Sequence, residues 1–278
     1  MDDRAFSARY EAYRAAVEGY LNGLFTAEPP WKSLYEAMRY SLLSGGKRVR
    51  PVLTLECARL GGLADWRGAL PFACALELVH TYSLIHDDLP CMDDDATRRG
   101  KPTNHVVYGT ALATLAGDAL QAEAYRLIAD APHISDAAKT TATRALARAS
   151  GADGMVAGQA LDLAGYGHDR ATLSELCAKK TGAMLRAAAE LGCAAAGAPE
   201  ALTAALCAYA AHLGLAFQLR DDLLDAGEDK PTFVSILGAD GCASEVARLT
   251  DAAVATLNGI DGSELLVWLA QTLAARES

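Results

Sequence analysis

Two segments of the chain, from about Leu70 to Asp88 and from about Leu202 to Asp225, are apolar on nearly every face, and each runs into a cluster of aspartates. The first carries Leu70, Phe72, Leu76, Leu78, Val79, Leu84 and Ile85; the second carries Leu206, Leu213, Leu215, Phe217, Leu219, Leu223 and Leu224. A helix without a polar face has to be wrapped by other helices, so both are expected at the centre of the fold. Alanine, leucine, glutamate and arginine dominate elsewhere, and alternating runs of β-branched residues are almost absent. Breaks fall at Glu28-Pro29-Pro30, Ser44-Gly45-Gly46, Gly61-Gly62, Arg99 to Pro102, Ala131-Pro132, Gly165-Tyr166-Gly167, Gly197-Ala198-Pro199 and Gly227 to Pro231. About ten helical segments lie between them, by the usual length of a helix. With no linker-like stretch and no convincing short-period repeat, residues 1–278 read as one all-α domain, a single bundle of about ten or more helices.

The chain's 278 residues are 51% hydrophobic, enough for a substantial core. A formal net charge of -10 argues against non-specific binding to nucleic acid or to an anionic membrane. It leaves room for anions at one local site, where acidic residues recruit Mg²⁺ and the ion carries positive charge to a phosphate. Seven scattered cysteines with no CxxC pair fit reduced thiols in the cytoplasm better than a disulfide framework or a structural zinc site. The N-terminus lacks the basic start and apolar run of a signal peptide. No stretch reads as a membrane span, because charges interrupt the alanine-rich segments.

The aspartates carry the chemistry. On a helix, Asp221 and Asp225 share one face about 6 Å apart, with Asp222 alongside. Like charges so spaced destabilise a helix, and a divalent cation is the ordinary remedy; a solvated acidic helix end is the alternative. The first cluster places five aspartates within nine residues: Asp87, Asp88, Asp93, Asp94 and Asp95. Pro90 cannot continue a regular helix, which predicts that Asp93 swings back toward Asp87. Carboxylates at a helix C-terminus also oppose the macrodipole, so the arrangement is costly without a cation. Arg98-Arg99 follow at once, a pair suited to bidentate phosphate binding. Together they suggest Mg²⁺ bridging a diphosphate. Ser44-Gly45-Gly46-Lys47-Arg48-Val49-Arg50 is a glycine-led turn with three cations, without the spacing of a P-loop. Lys179-Lys180-Thr181-Gly182 lies in an otherwise apolar helix, where snorkelling lysines are the plain alternative. Gln218 shares the face of Asp221 three residues on.

The ordered set GGKRVRP, HTYSLIHDDLPCMDDDATRRGKPTNH, LAGDAL, AKKTGAML and FQLRDDLLD resembles the trans-isoprenyl diphosphate synthases. Within that family it is most similar to the bacterial farnesyl and plastid-type geranylgeranyl diphosphate synthases, over nearly the whole chain. The resemblance implies helices around a central apolar cavity, a homodimer, and isoprenoid diphosphates as ligands. It implies that Asp87, Asp88, Asp93, Asp221, Asp222 and Asp225 bind three Mg²⁺ ions on the allylic diphosphate, which Arg98 also contacts. Lys47, Arg50, His80 and Arg99 would hold the diphosphate of isopentenyl diphosphate. Lys180, Thr181 and Gln218 would line the space beside the reacting carbons, and Lys230 would close over the allylic diphosphate. The implied reaction is Mg-assisted ionisation, condensation and loss of a proton.

Product length should depend on what blocks the tunnel below the first motif. Residues four and five before Asp87 lie about 6–7.5 Å down its helix, and they are Ser83 and Tyr82. A bulky Tyr82, with the Pro90-Cys91 insertion, resembles the C15 producers; a small residue there resembles the C20 producers, and Tyr82 as a plain core aromatic is the alternative. Two features depart from the family pattern. The polar loop after Asp225 is shortened, and the C-terminal basic tail of some eukaryotic members is missing, the last residues Ala274-Ala275-Arg276-Glu277-Ser278 holding a single arginine. A class I terpene cyclase shares the first motif but normally has an asparagine-serine-glutamate motif in place of Asp221-Asp222-Leu223-Leu224-Asp225. A regulatory subunit normally loses aspartates that this chain keeps.

Overall fold

Helix formation starts from local chemistry that the sequence makes plain. Pro71 opens α4 (Leu70–Asp87), where the missing N–H is no loss. Its buried residues run from Pro71 through Val79 without a gap, so it is enclosed on all sides. In this computed structural model, which describes residues 3–224 and 232–276, the helices before it are α1 (Asp3–Asn22), α2 (Lys32–Leu42) and α3 (Val49–Leu60). A two-stranded hairpin, β1 (Thr97–Arg98) with β2 (Lys101–Pro102), separates α4 from α5 (Asn104–Tyr108) and α6 (Thr110–Ala129). Then come α7 (Asp136–Ser150), α8 (Met155–Leu163) and α9 (Arg170–Cys177), followed by α10 (Ala183–Ala196) and α11 (Glu200–Leu224). The chain closes with α12 (Phe233–Ala255), kinked at Gly238, and α13 (Glu264–Ala275). Side-chain caps mark several starts: Ser135 accepts from the Ala138 N–H, and Asp169 with Thr172 forms a capping box on α9.

The all-α expectation holds. The two apolar segments become α4 and α11, and α10 packs against both of them. Around α4 lie α1, α2, α3 and α6, while α12 and α13 flank α11. Gly117 explains part of the LAGDAL segment: a Cβ there would stand 2.2 Å from His86 Nε2, so glycine leaves room for the His86 ring between α4 and α6. His86 Nε2 in turn reaches the Thr114 carbonyl at 3.0 Å.

Three breaks between helices escaped the sequence reading among the described residues. Gly109 separates α5 from α6, the turn from Gly151 to Gly154 separates α7 from α8, and Thr256 to Ser263 separates α12 from α13. One expectation needs correction. Both α11 and the stretch Trp66–Asp87 reach the length and apolarity of a membrane span. In the fold 72% of the first window is buried, so packing against neighbouring helices accounts for its apolarity.

Candidate active site

The first aspartate cluster takes the shape that Pro90 dictates. Helix α4 stops at Asp87, and the Asp93 N–H donates to the Asp87 carbonyl at 2.9 Å, bringing the second pair of aspartates back to the first. Asp94 adopts a left-handed φ of 53° to make this return. Burial, reinforced by Asp93 and Asp88 and opposed by Lys180, pushes the Asp87 carboxyl up to about 6. Asp88 is only 4% exposed; it accepts from Arg98 Nε at 2.7 Å, and Arg98 Nη2 also reaches Asp95 at 3.3 Å. Burial raises the Asp88 carboxyl and the Arg98 pair opposes the rise.

Lys180 and Thr181, which the sequence places in an ordinary apolar helix, come from a turn of different shape. Between α9 and α10 the helix widens into a single π turn, Ala178–Gly182, of the kind that recurs at functional sites. Lys180 Nζ donates to Asp162 Oδ2 at 2.6 Å. Asp162 belongs to α8, which reaches the π turn because Gly158 has no side chain: a Cβ there would stand 2.4 Å from the Lys180 nitrogen. Asp162 is therefore a candidate site residue that the sequence reading missed. Its signal was the pair Gly158 and Asp162, one helical turn apart, in Gly158-Gln159-Ala160-Leu161-Asp162.

Thr181 joins the π turn to the second motif. Its hydroxyl donates to Gln218 Oε1 at 3.2 Å, and Gln218 Nε2 donates to Asp222 Oδ1 at 3.0 Å. The carboxylate of Asp222 thus orients the amide so that its carbonyl oxygen meets Thr181. Asp222 Oδ2 also accepts from the Phe233 N–H at 2.7 Å, which ties α12 to α11. Asp221, at the opposite edge, is paired with Arg276. Asp225 and Lys230 lie outside the described residues.

The basic residues close the circuit. His80, Arg50 and Arg99 crowd together, and the surrounding guanidinium groups add to burial in holding His80 well below the usual imidazole range, hence neutral. Burial also lowers Arg50, whose nearest compensating charges are Glu77 and Asp221, and its Nε is buried without a hydrogen-bond partner. Lys47 is lowered too, by burial and by Arg276, while Asp221 opposes the shift. Arg99 donates to the Gly45 carbonyl and approaches Ser44 Oγ at 3.4 Å, so the glycine-led turn positions it. Of the three cations in that turn, Arg48 plays a different part: it is buried between Glu18 at 2.7 Å and Glu77 at 2.5 Å and serves the core.

The arrangement therefore has an acidic side and a basic side in electrical contact. An orphaned buried guanidinium nitrogen in a cluster of cations calls for an anion. Crowded carboxylates, two of them raised by burial, call for a hard cation. Among the described residues no three acidic or histidine side chains converge into a ready cage.

Below the first motif, Tyr82 is buried and its ring meets His86 with centroids 5.7 Å apart. Burial, with Tyr125 and Asp87 nearby, pushes its phenol up to about 12, and the hydroxyl has no hydrogen-bond partner. Ser83 donates to the His80 carbonyl at 2.9 Å.

Residues 31–249 match the family model described as polyprenyl synthetase. The chain belongs to the polyprenyl synthetase family. It is 43% identical to a farnesyl diphosphate synthase of Geobacillus stearothermophilus, over 96% of this chain and 95% of that one. It is 40% identical to geranylgeranyl pyrophosphate synthase 7, chloroplastic, of Arabidopsis thaliana, over 95% and 82% of the two chains. Among solved structures, the apo FPP/GFPP synthase from Zymomonas mobilis superposes with a TM-score of 0.92 at 39% identity, covering 98% of this polyprenyl synthetase and all of that chain.

Proposed function

We propose that this polyprenyl synthetase condenses isopentenyl diphosphate head-to-tail with dimethylallyl or geranyl diphosphate, giving mainly farnesyl diphosphate. One observation supports the reading: Asp221 acts on Arg50 and Lys47, and Arg98, which pairs with Asp88, acts on His80, so the carboxylates and the cations are within electrostatic reach of one another. One side suits a diphosphate that leaves, the other a diphosphate that stays.

On the acidic side, Asp87, Asp88, Asp93, Asp221, Asp222 and Asp225 are assigned to three Mg²⁺ ions. The chemistry those ions supply when bound is Lewis-acid neutralisation of the leaving diphosphate. Arg98, Lys180 and Lys230 add donors to the same group and so favour cleavage of its carbon–oxygen bond. Thr181 and Gln218 face the allylic cation that results. Because the Thr181 proton is engaged by Gln218, lone pairs of its hydroxyl remain available to a developing positive charge. On the basic side, Lys47, Arg50, His80 and Arg99 hold isopentenyl diphosphate so that its double bond meets the cation. The new carbon–carbon bond forms, and a proton leaves to the departing diphosphate.

Tyr82, with Ser83 on the adjoining position, is assigned as the floor that stops growth at C15. Its burial on the same helix one turn and a half before Asp87 supports this, as does the 43% identity to a farnesyl diphosphate synthase. A homodimer, a cytoplasmic location and a single domain over residues 1–278 belong to the same reading. The free state of all seven cysteines supports the location. The continuous α11, which contributes to both apolar clusters, supports the single domain.

The test is an assay of purified protein with geranyl and isopentenyl diphosphates and Mg²⁺, with products separated by chromatography. Farnesyl diphosphate as the main product is expected. Geranylgeranyl diphosphate as the main product would overturn the length assignment. Turnover of geranyl diphosphate without isopentenyl diphosphate would overturn the condensation.

A further inference from the structure

The C-terminal end of the chain is built into the site. Helix α13 ends at Ala275, and Arg276 turns out of it with φ -60° and ψ 146°. Three residues of α11 receive it: Phe217, Arg220 and Asp221, which share one helix face at spacings of three and four. Arg220 Nε donates to the Arg276 carbonyl at 2.8 Å and fixes the main chain. The Arg276 guanidinium lies 4.1 Å from the centre of the Phe217 ring, and its Nη2 donates to Asp221 Oδ1. The side chain is only 10% exposed. A terminal arginine with this many constraints is a part of the site, and its charge lies beside Lys47 in a cluster that already holds Arg50.

The need for a third cation follows from Asp221. Without a metal ion this carboxylate sits at the end of α11, where the macrodipole disfavours negative charge. A guanidinium supplies the missing charge. A divalent cation on the same carboxyl would be repelled by that guanidinium, since like charges a few ångströms apart in a partly buried site are poorly screened. We propose that Arg276 is a built-in counter-cation for Asp221, so that docking of the C-terminus and binding of a divalent cation at Asp221 exclude one another. Arg276 holds Asp221 in place while the site is empty and leaves it when the cation arrives. The C-terminus is then a reporter of the loading state of the site. This rests on the assignment of Asp221 as a cation ligand.

Two measurements on the full chain test the exclusion. The first is Mn²⁺ binding, read from the spin-resonance signal of the free ion, with and without inorganic pyrophosphate. Arg276→Gln removes the competing charge and should tighten Mn²⁺ binding about tenfold, a factor set by the strength of a charged hydrogen bond. Arg276→Lys keeps the charge and should stay within about threefold of the parent chain. Equal Mn²⁺ affinity in the parent and Arg276→Gln would overturn the exclusion while leaving the ligand assignment intact. Absence of Mn²⁺ binding in every chain, even with pyrophosphate, would overturn the ligand assignment itself. The second measurement needs no variant at Arg276: tryptic cleavage after Arg276, followed by intact mass. Cleavage should be slow in chelator and several-fold faster with Mn²⁺ and pyrophosphate, and Asp221→Asn should be fast in chelator alone. A rate that ignores both the cation and Asp221→Asn would overturn the inference.

Discussion

Asp87 is placed where its charge strains the metal-free fold, and the strain can be measured. Its carboxyl is pushed from 3.8 to about 6, chiefly by burial, with Asp93 and Asp88 adding repulsion that Lys180 and Arg98 oppose. A rise of that size corresponds to about 3 kcal/mol at 1.36 kcal/mol per unit. Partial exposure brings the expected effect to about 1–3 kcal/mol. Because the folded pKa is raised, protonated Asp87 is tolerated below pH 3.8, and the stability it allows is lost as pH rises through about 6. Asp87→Asn keeps the shape and removes the charge. In chelator at pH 7.5, urea unfolding should therefore find Asp87→Asn more stable than the parent by about 1–3 kcal/mol. The gap should close as pH falls from about 6 toward 4. Mg²⁺ with pyrophosphate should stabilise the parent more than the variant, by relieving the same repulsion. A gap that is constant across this pH range would refute the electrostatic reasoning, since a loss or gain of packing does not titrate.

Asp162→Asn weakens the partner of Lys180 without changing its size, and turnover should fall about 10- to 100-fold while the thermal midpoint stays near that of the parent. Arg48→Met leaves Glu77, 4% exposed, without its guanidinium, and should cost about 3–5 kcal/mol in urea unfolding. Tyr82→Ala should shift the main product from farnesyl to longer diphosphates by chromatography, and an unchanged product would show that other side chains set the length.

Much of the bundle was legible because its cause is local. The punctuation at Ser44-Gly45-Gly46 or Gly197-Ala198-Pro199 ends helices in the fold as it does in the sequence. Apolar residues on every face announced that α4 would be enclosed, whereas α11, with 44% of its apolar window buried, is enclosed only in part. The turn from Gly151 to Gly154 was passed over because alanine and methionine on either side hide it, and with it went the separate helix α8 and its Asp162. Lys180 looked like a snorkelling lysine for the same reason: its partner lies eighteen residues away on a helix that close packing at Gly158 brings alongside.

By itself the sequence determined the candidate ligand-bearing parts: the crowded aspartates, the return enforced by Pro90, and the cations Lys47, Arg50, Arg98 and Arg99. Spacing along one helix or one turn is enough for these, since the physics acts within a few residues. Only the tertiary structure decided the division of labour among them. It put Arg48 into the core with Glu77, left Arg50 facing the site with an orphaned nitrogen, and widened one helix into a π turn so that Thr181 meets Gln218. It also gave the single C-terminal arginine a partner, because Arg276 and Asp221 lie fifty-five residues apart and meet only when α13 packs against α11. Contacts of that kind depend on how helices cross, and nothing in the spacing of residues along the chain encodes them.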